Sequence, residues 1–572
     1  MGDLKKTFLA GFLVLFVLLL TPYYLQLIGY QTEDVPNNNE VPVETGPVTN
    51  TKNEPVFDTT TIKDKTPESS SAGNEQYDFT SFVVQTDQYS AAVSSRGGGS
   101  FEEYTLRGQN TYQFLGGYDL NGEYQDSIDV SLILDNQALC APCVGIIYDN
   151  EKIILDGSFK NTSIPKNSVF SLLPGDSLAV VMQFSHPKAE ITKTTTFYGT
   201  GYVASHSIQA KDLGSGLEAV FLLWDRGIKN TEKNISDELT YSSANLSYGK
   251  TIEDFSFSPA SVNDTEEEVL YKEPIDWIAI RNKYFIMAFV PEGADFGAFS
   301  ASAVELNREH VVPSYSATTG IFAHTLRADL YFGPLDIDEI NALETSLDRI
   351  MNFGWFIIQP FSRGVLWLLK VMHSFGLNYG VILVLIALLV RIITGPLTKK
   401  SFQSSLKMQA VQPKLQALQK KHKKDSQRLN QEMVKLYRDN KVNPMGGCFP
   451  MLLQMPLLFS LFLVFRSTIE FRGAPFFGWI SNLSQPDTIF YLPVNIPIYG
   501  DQVAFLPILL GISMFLTQKM SMATMDAKQK PMMYIMTAFF FLLFNSFPSG
   551  LNLYYLIYNI LNYLQQKSLK RA

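Results

Sequence analysis

Five long apolar stretches between residues 379 and 566 constrain the fold of this 572-residue chain more than any other feature. Each approaches the roughly 20 residues that a helix needs to cross the hydrocarbon of a bilayer. Because the bilayer interior offers no water to unpaired backbone groups, such segments cross it as α-helices. The predicted spans cover residues 379–397, 446–466, 504–520, 532–547 and 550–566.

A sixth apolar run lies near residue 1, where Lys5 and Lys6 precede an uncharged segment. This run lacks the short core and the small-residue exit of a cleavable signal peptide. We therefore expect residues 1–30 to form an uncleaved membrane anchor, which raises the predicted number of spans to six. Residues 31–76 are rich in Thr, Pro, Asn, Glu and Ser, and this composition predicts a flexible linker.

The distribution of charge predicts the orientation. Residues 31–355 hold 47 acidic and 21 basic side chains, a net charge of −26. The remainder of the chain holds 8 acidic and 25 basic side chains, a net charge of +17. Basic connections stay in the cytoplasm, so residues 398–441, 519–530 and the short basic tail 567–572 are expected inside. The connection 469–503 has one basic and three acidic residues and is expected outside. Both termini are then cytoplasmic, and the acidic domain lies outside.

Residues 77–350 are predicted to form this outer domain. Strand-length segments rich in β-branched and aromatic residues alternate with Gly, Pro, Asn and Asp. Such a pattern over about 270 residues is typical of a large antiparallel sandwich. A helix at about 336–350, capped by Asp336 or Asp338, is expected to close the domain.

The outer domain contains a CAPC motif formed by Cys140 and Cys143. A CxxC redox centre is expected only next to a βαβ unit. The segments on either side of this motif are instead predicted to be two strands joined by a turn. We favour a short structural disulfide or two plain thiols. The third cysteine, Cys448, is interpreted as a small packing residue.

Residues 355–375 are apolar enough to suggest a further span, but helical geometry favours a different placement. At about 100° per residue, the polar side chains fall within about 60° of one direction, and the rest of the surface is aromatic and aliphatic. We expect a helix lying in the outer interface of the membrane; the alternative is a span kinked at Pro360. The polar side chains belong to Gln359, Ser362, Arg363, Lys370, His373 and Ser374.

Residues 398–441 predict a cytoplasmic hairpin of two helices. Apolar side chains recur at helical spacing on both sides of the segment KKHKKDS. Asp425 or Ser426 is the expected cap of the second helix. The basic tip is favoured to be a solvated loop, and the alternative is contact with anionic lipid head groups or ribosomal RNA. The tip contains Lys420, Lys421, Lys423 and Lys424.

Arg391 is the leading candidate for a functional residue. It follows the apolar run VILVLIALLV and lies about 12 Å inside the cytoplasmic boundary marked by Lys399. A charge at this depth costs at least about 2.5 kcal/mol, and the predicted spans contain no acidic residue to pair with it. Two interpretations remain open. Arg391 either snorkels to lipid phosphates, or it faces a water-filled groove and attracts an acidic segment of a passing substrate.

Other polar residues in the predicted spans favour the groove. Gln454 lies within the second of the five stretches. The last stretch carries polar residues at spacings of 3, 4 and 3, which places them on one helical face. Such a stripe faces protein or water rather than lipid, so interhelical hydrogen bonding is the alternative interpretation. The stripe consists of Asn552, Tyr555, Asn559 and Asn562.

Several classes of enzyme and transporter are disfavoured by the motifs that the sequence lacks. It contains no Walker-type phosphate loop and no HExxH motif. It contains no GxSxG placed on a strand–turn–helix unit. We therefore expect no cofactor, no metal and no covalent chemistry.

Four motifs resemble those of the YidC family of membrane-protein insertases. They are RIITGPLTK (391–399), QPKLQAL (412–418), NPMGGCFPMLLQMP (443–456) and FPSGLNLYY (547–555). Their order and spacing are similar to those of the insertase core over about residues 355–566. The anchor, linker and outer domain resemble the Gram-negative form of the family.

The resemblance implies a six-span α-helical membrane protein with a five-helix core (376–397 and 442–566) and a large all-β periplasmic supersandwich domain. It implies an inner-membrane insertase and chaperone, monomeric, that acts alone or with the Sec translocon. Its implied partners are nascent membrane proteins and the ribosome. Arg391 corresponds to the family's intramembrane arginine. Gln454, Tyr554 and Tyr555 correspond to groove positions, and Asn552 and Asn559 complete the predicted groove.

Two other functions are compatible with the sequence. The chain could be an envelope carbohydrate-binding receptor whose outer domain is the working part, or it could be a transporter or channel. The lack of paired intramembrane charges disfavours a transporter.

Overall fold

The computed structural model describes residues 79–571, except 109–113, 120, 135–139, 226, 257–266, 308–309, 352, 423–424, 441, 443–448, 497–498 and 523–529. The predicted anchor and linker lie outside the described residues. The chain divides into two compact units. Among the described residues, one unit covers residues 403–442 and the other covers the rest.

The outer domain is built from β-sheets in which all but one of the described strand pairs are antiparallel. A nine-stranded sheet has the order β15 (Thr251–Phe255), β14 (Ser243–Tyr248), β17 (Trp277–Arg281), β18 (Phe285–Pro291), β21 (Thr325–Pro334), β12 (Val203–Asp212), β11 (Ala189–Tyr198), β10 (Ser177–Ser185) and β8 (Lys160–Asn161). A six-stranded sheet has the order β16 (Glu267–Tyr271), β19 (Phe296–Asn307), β20 (His310–Ile321), β13 (Leu217–Trp224), β6 (Cys143–Tyr148) and β7 (Glu151–Ile154).

Two smaller sheets complete the outer domain. One has the order β3 (Ser100–Leu106), β2 (Tyr89–Ser94), β1 (Ser81–Gln85) and β9 (Val169–Ser171), with β1 and β9 parallel. The other pairs β4 (Leu115–Tyr118) with β5 (Tyr124–Asp129). The sequence prediction of a β-rich domain is confirmed.

The pattern of burial along each strand shows which strands line the core. In β11, buried and partly exposed residues alternate along almost the whole strand, as expected where one face packs on the core and the other approaches water. In β17 and β13, nearly every residue is buried. These two strands have continuous apolar runs because both of their faces are covered.

The segment at 336–350 is not the single helix that the sequence predicted. It forms a short helix α2 (Ile337–Asn341) and a 3-10 turn (Ser346–Ile350). Glu344 interrupts them with a φ of 54°, a left-handed conformation that ends a helix. Asp336 caps α2 by accepting a hydrogen bond from the backbone N of Asp338 at 2.7 Å. Asp338 itself lies in the first turn of α2.

The CAPC motif forms a buried disulfide between Cys140 and Cys143. Gly97 packs directly against it with a φ of +58°, and a Cβ at this position would lie 2.4 Å from the Cys140 Sγ atom. A glycine is therefore required for both the space and the backbone conformation. The structural disulfide was one of the two favoured alternatives, and it is the one observed.

The C-terminal part is helical, as predicted. Its helices are α3 (Gln359–Ser374), α4 (Tyr379–Lys421), α5 (Ser426–Asp439), α6 (Phe449–Ser467), α7 (Phe505–Met522), α8 (Lys530–Phe544) and α9 (Ser549–Arg571). Among the described residues, one helix, within Tyr379–Leu418, is long and apolar enough to cross a membrane. Three other apolar stretches are shorter: Met455–Ser467, Phe505–Met520 and Tyr534–Phe544. The count of six spans stays a prediction.

A buried ion pair joins the outer domain to the helical part. The Nε atom of Arg472, which follows a 3-10 turn (Ile469–Phe471) after α6, lies 2.6 Å from Oε1 of Glu232. The same guanidinium donates to the carbonyl oxygens of Leu115, Gly116 and Thr231. Both charged side chains are almost fully buried. Because water is excluded, the guanidinium is stabilised by the carboxylate and by these carbonyls, and the carboxylate is stabilised by the guanidinium.

Further ion pairs lie along the same junction. Arg466 at the end of α6 pairs with Asp237 of α1 (Ile235–Leu239). Lys370 of α3 pairs with Asp336 at 2.8 Å and contacts Glu470 at 3.5 Å. The polar face predicted for α3 is therefore used in part to contact the outer domain.

The Arg472 pair gives the first prediction. Replacing one partner of a buried ion pair leaves an unpaired charge and costs about 3–5 kcal/mol. We expect Arg472→Met to lower strongly the thermal unfolding midpoint of the full-length protein in detergent. Arg363→Met removes a half-exposed pair with Asp348 and should cost about 0–1 kcal/mol. Equal midpoints for the two variants would contradict the buried pair as a stabilising contact.

Lys193 gives the second prediction. Its side chain is fully buried in β11, and its Nζ atom has no hydrogen-bond partner within the described part of the chain. Burial lowers the pKa of Lys193 to about 7. The unfolded chain therefore binds an extra proton between about pH 7 and pH 10.5, and stability rises with pH over this window.

Lys193→Met should raise the thermal unfolding midpoint at pH 7, because it removes the buried amine. The increase of the midpoint from pH 7 to pH 9 should be smaller in this variant than in the wild type. Lys160→Met is the matched control because Lys160 is exposed on β8. It should leave both the midpoint and its pH dependence unchanged. A Lys193→Met variant that is less stable than the wild type at pH 7 would show that the amine is needed in its charged form.

Candidate functional site

The candidate site lies where Arg391 of α4 meets α9. Arg391 is twelve residues after the first residue of α4, which places it about 18 Å along the helix. Its side chain is 8% exposed. The preceding turns of α4 pack against α9 through an apolar cluster that includes Ile386, Val390, Tyr554 and Tyr558. Burial of these residues fixes the face on which Arg391 lies.

Neutral groups hold the guanidinium of Arg391. Its Nη2 atom donates to the side-chain oxygen of Gln565 on α9, and its Nη1 atom lies 3.5 Å from the hydroxyl of Thr398. The ring of Tyr558 lies 5.7 Å from the guanidinium carbon, within the range of a cation–π contact. Gln565 is fixed in turn by a 3.1 Å hydrogen bond from its Nε2 atom to the carbonyl of Gly395.

Among the described residues, no acidic side chain compensates the charge of Arg391. None of the ion pairs found in the described ranges involves Arg391. Its Nε atom has no hydrogen-bond partner among those same residues. An amide, a hydroxyl and a ring stabilise a cation without neutralising it. The site can therefore still attract a negative group.

The structure gives Asn552 a different environment from Arg391. Asn552 is fully buried, and its Nδ2 atom donates to the carbonyls of Phe544 at 3.1 Å and Phe547 at 3.3 Å. These carbonyls end α8 and form the turn before α9, so the amide satisfies groups that a helix end leaves unpaired. This contact is the interhelical alternative that the sequence left open for the polar stripe.

Tyr554 is the predicted groove residue nearest to the Arg391 environment. It is fully buried, and its ring stacks on that of Tyr558 at 6.1 Å. Its hydroxyl has no hydrogen-bond partner in the described part of the chain. Tyr555 is half-buried and packs edge-on against Phe544. Asn559 is half-buried on the same helix.

The two contact residues of Arg391 on α9, Tyr558 and Gln565, were missed from the sequence, as was Thr398 on α4. A signal was present, because Tyr554, Tyr558 and Gln565 recur at spacings of 4 and 7, which makes a second stripe on α9. This stripe faces α4, whereas Asn552 turns towards the end of α8. The sequence alone shows two stripes but not which of them meets Arg391.

Other predicted site residues are described only in part. The side chain of Gln454, in α6, and the residues Lys423 and Lys424 lie outside the described part of the structure. Lys420 and Lys421 are exposed at the end of α4. In the unit formed by residues 403–442, Asp425 caps α5 by accepting from the backbone N of Arg428 at 2.9 Å, which confirms one of the two predicted caps.

An apolar groove lies between α7 and α8. It has a volume of about 400 Å³, and its lining includes Ile512, Phe515, Tyr534 and Phe541. Among the described lining residues, Thr537 and Tyr534 carry a side-chain hydroxyl, and that of Thr537 donates to Gln518. The groove therefore offers an apolar surface to a neighbouring lipid or helix.

Comparison with known proteins identifies relatives for most of the chain. Residues 370–572 match the family described as 60Kd inner membrane protein, and residues 152–368 match the family described as YidC periplasmic domain. The "Membrane protein insertase YidC" of Chlorobaculum parvum is 31% identical over 506 residues, which cover 87% of this chain and 82% of the relative.

A second relative and one solved structure are similar over most of their length. The "Membrane protein insertase YidC" of Chlorobium luteolum is 32% identical over 505 residues, with 85% of this chain and 81% of the relative covered. A crystal structure of an active YidC insertase, with its first transmembrane domain resolved, is 17% identical. Its TM-score is 0.33, with 84% of this chain and 91% of that chain covered.

Proposed function

The chain belongs to the YidC family of membrane protein insertases, and from this premise we propose that it inserts membrane proteins through a groove carrying Arg391. The client's short hydrophilic segment enters this groove while its apolar span moves into lipid. The proteins it inserts and folds are integral proteins of a bacterial inner membrane. No covalent bond of the client changes in this process.

The observation that carries the proposal is that no acidic side chain in the described part of the chain pairs with Arg391. A snorkelling arginine extends its guanidinium to water or lipid phosphates, whereas this side chain is packed against α9 with 8% of its surface exposed. Its neighbours are the neutral groups of Gln565, Thr398 and Tyr558. In a low-dielectric site, a positive charge attracts a carboxylate more strongly than it does in water.

We further propose that the bilayer is thinned beside this site, because thinning reduces the distance over which a hydrophilic client segment is desolvated.

The remaining features of the proposal concern topology and partners. Six spans with both termini in the cytoplasm place the β-rich domain in the periplasm and residues 398–441 in the cytoplasm. There the exposed Lys420 and Lys421, with Lys423 and Lys424, contact anionic lipid head groups or the ribosome. The chain acts as a monomer, alone or beside the Sec translocon.

The decisive test is charge removal at Arg391. We expect Arg391→Ala to reduce insertion of a small acidic-tailed protein by on the order of ten- to a hundredfold, because a contact with a charged group worth about 1.5–3 kcal/mol is lost. Arg391→Lys should retain most of the activity. Insertion is measured by protease protection in cells depleted of their own insertase.

The matched control is Lys399→Ala, which removes a positive charge two turns later on the same helix, where the side chain is exposed. It should insert the client at the wild-type level. If Arg391→Ala also inserts the client as well as wild type does at equal expression, Arg391 is only an anchor, and the proposed groove mechanism is wrong.

A further prediction concerns the partner of Arg391. Gln565→Glu puts a carboxylate beside the guanidinium, and this carboxylate neutralises the charge that the client needs. We expect insertion of an acidic-tailed client to fall about as far as in Arg391→Ala, while a client with an uncharged tail is affected much less. Ser568→Glu is the control, because it adds the same charge at an exposed position of α9. The same loss for both clients in Gln565→Glu would contradict a role through charge.

A further inference from the structure

A β-hairpin precedes α7 on the side of the membrane that carries the outer domain. It consists of β22 (Thr488–Ile496) and β23 (Gly500–Ala504), which pair antiparallel. The sequence predicted only an outer connection here. β23 ends at Ala504, and α7 begins at the next residue, Phe505. The base of the hairpin is thus continuous with a predicted membrane span.

Two buried polar side chains fasten this base to the helices. Asn545, after α8, donates to the carbonyls of Tyr499 and Gln502 and accepts from the backbone N of Ala504 at 3.0 Å. Asp487 accepts from the backbone N of Leu506 at 2.8 Å and from the indole N of Trp479 at 2.9 Å. The hairpin therefore cannot swing away from the outer ends of α7 and α8.

The surface of β22 is unusual for a strand facing water. Five of its large apolar side chains are between 43% and 66% exposed, and the strand has no acidic or basic residue. Isolated two-stranded hairpins are marginally stable in water, and exposed apolar strands invite aggregation. The five side chains are those of Ile489, Phe490, Tyr491, Val494 and Ile496.

We propose that β22 lies in the head-group region of the outer leaflet, so that phospholipid covers its apolar side chains. This inference rests on the topology of the proposed function. The head-group region suits Tyr, Phe and aliphatic side chains beside polar backbone. The hydrocarbon does not suit the hairpin, because an open strand edge leaves backbone groups unpaired there.

A polypeptide strand is a less favourable occupant than lipid. Pro493 interrupts the hydrogen-bond donors along β22, which weakens the addition of another strand. The register of β22 with β23 is also irregular. In addition, the amine of Lys233 of the outer domain lies 5.6 Å from the Tyr491 ring centre, so this domain already contacts one side chain of the strand.

The proposed contact has a consequence for the bilayer beside the site. Side chains that occupy the head-group region at the outer ends of α7 and α8 displace lipid beside these two helices. The hairpin would therefore help to hold the thinned bilayer in place. It would be a second outer-leaflet contact, separate in sequence from α3.

Spin labels report the depth of β22 directly. The full-length protein is reconstituted into phospholipid vesicles with Cys448→Ser, so that the buried Cys140–Cys143 disulfide is the only remaining cysteine pair. Labels are placed by Val494→Cys and, as references, by Leu173→Cys on the exposed outer domain and Ile512→Cys on the lipid-facing side of α7. Collision rates with oxygen and with a water-soluble nickel chelate are compared in the same vesicles.

We expect the ratio of oxygen to nickel collisions at position 494 to be several-fold above that at position 173 and below that at position 512. A ratio equal to that at position 173 overturns the proposal and leaves the surface to a protein partner. Insertion of the acidic-tailed client is measured in the same vesicles. Insertion without a membrane contact at 494 refutes only the hairpin proposal, whereas vesicles that fail to insert the client refute the proposed function.

Discussion

The absence of water from the bilayer interior is the constraint on which the helical part depends. A guanidinium within α4 must obtain its hydrogen bonds from protein, and α9 supplies them through Gln565, with the ring of Tyr558 beside it. Burial of the apolar residues around Val390 and Tyr554 holds α9 against α4, so that Gln565 and Tyr558 reach the guanidinium. The packing of the two helices and the stabilisation of the charge are therefore one requirement, and in the proposed function the same arrangement leaves a cation available to a client.

The outer domain is bound to this helical part by charge as well as by chain connection. Glu232 and Asp237 belong to the domain, and their partners Arg472 and Arg466 follow or end α6. Deleting the domain would leave Arg472 without the carboxylate and the three carbonyls that surround it. An activity lost on deletion would thus have two explanations, a function of the domain or the exposure of these arginines. Single substitutions at the junction separate them.

Local features of the sequence predicted the helical elements and their caps well, because apolar runs and caps depend on neighbouring residues. The cap at Asp425 and the helical form of 379–397 are examples. The break at Glu344 was missed because a left-handed residue other than glycine or asparagine has no clear signal. The hairpin at 488–504 was missed because its strands are exposed, so they lack the alternation that identifies a half-buried strand.

Contacts between distant segments could not be obtained from the sequence. Gln565 is 174 residues from Arg391, and Glu232 is 240 residues from Arg472. Each pairing depends on which helix faces or strand ends meet in the folded chain. The sequence showed that the predicted spans contain no acidic residue to pair with Arg391, but its contact with the neutral side chain of Gln565 required the structure.

The central claim is that the charge at position 391 acts on the charge of the client. Its most direct test is a charge exchange, in which insertion of acidic-tailed and basic-tailed versions of one client is measured with wild type and with Arg391→Glu. We predict that wild type favours the acidic tail and that Arg391→Glu shifts the preference towards the basic tail. If Arg391→Glu reduces insertion of both clients by the same factor, the residue acts through structure alone and the account is contradicted.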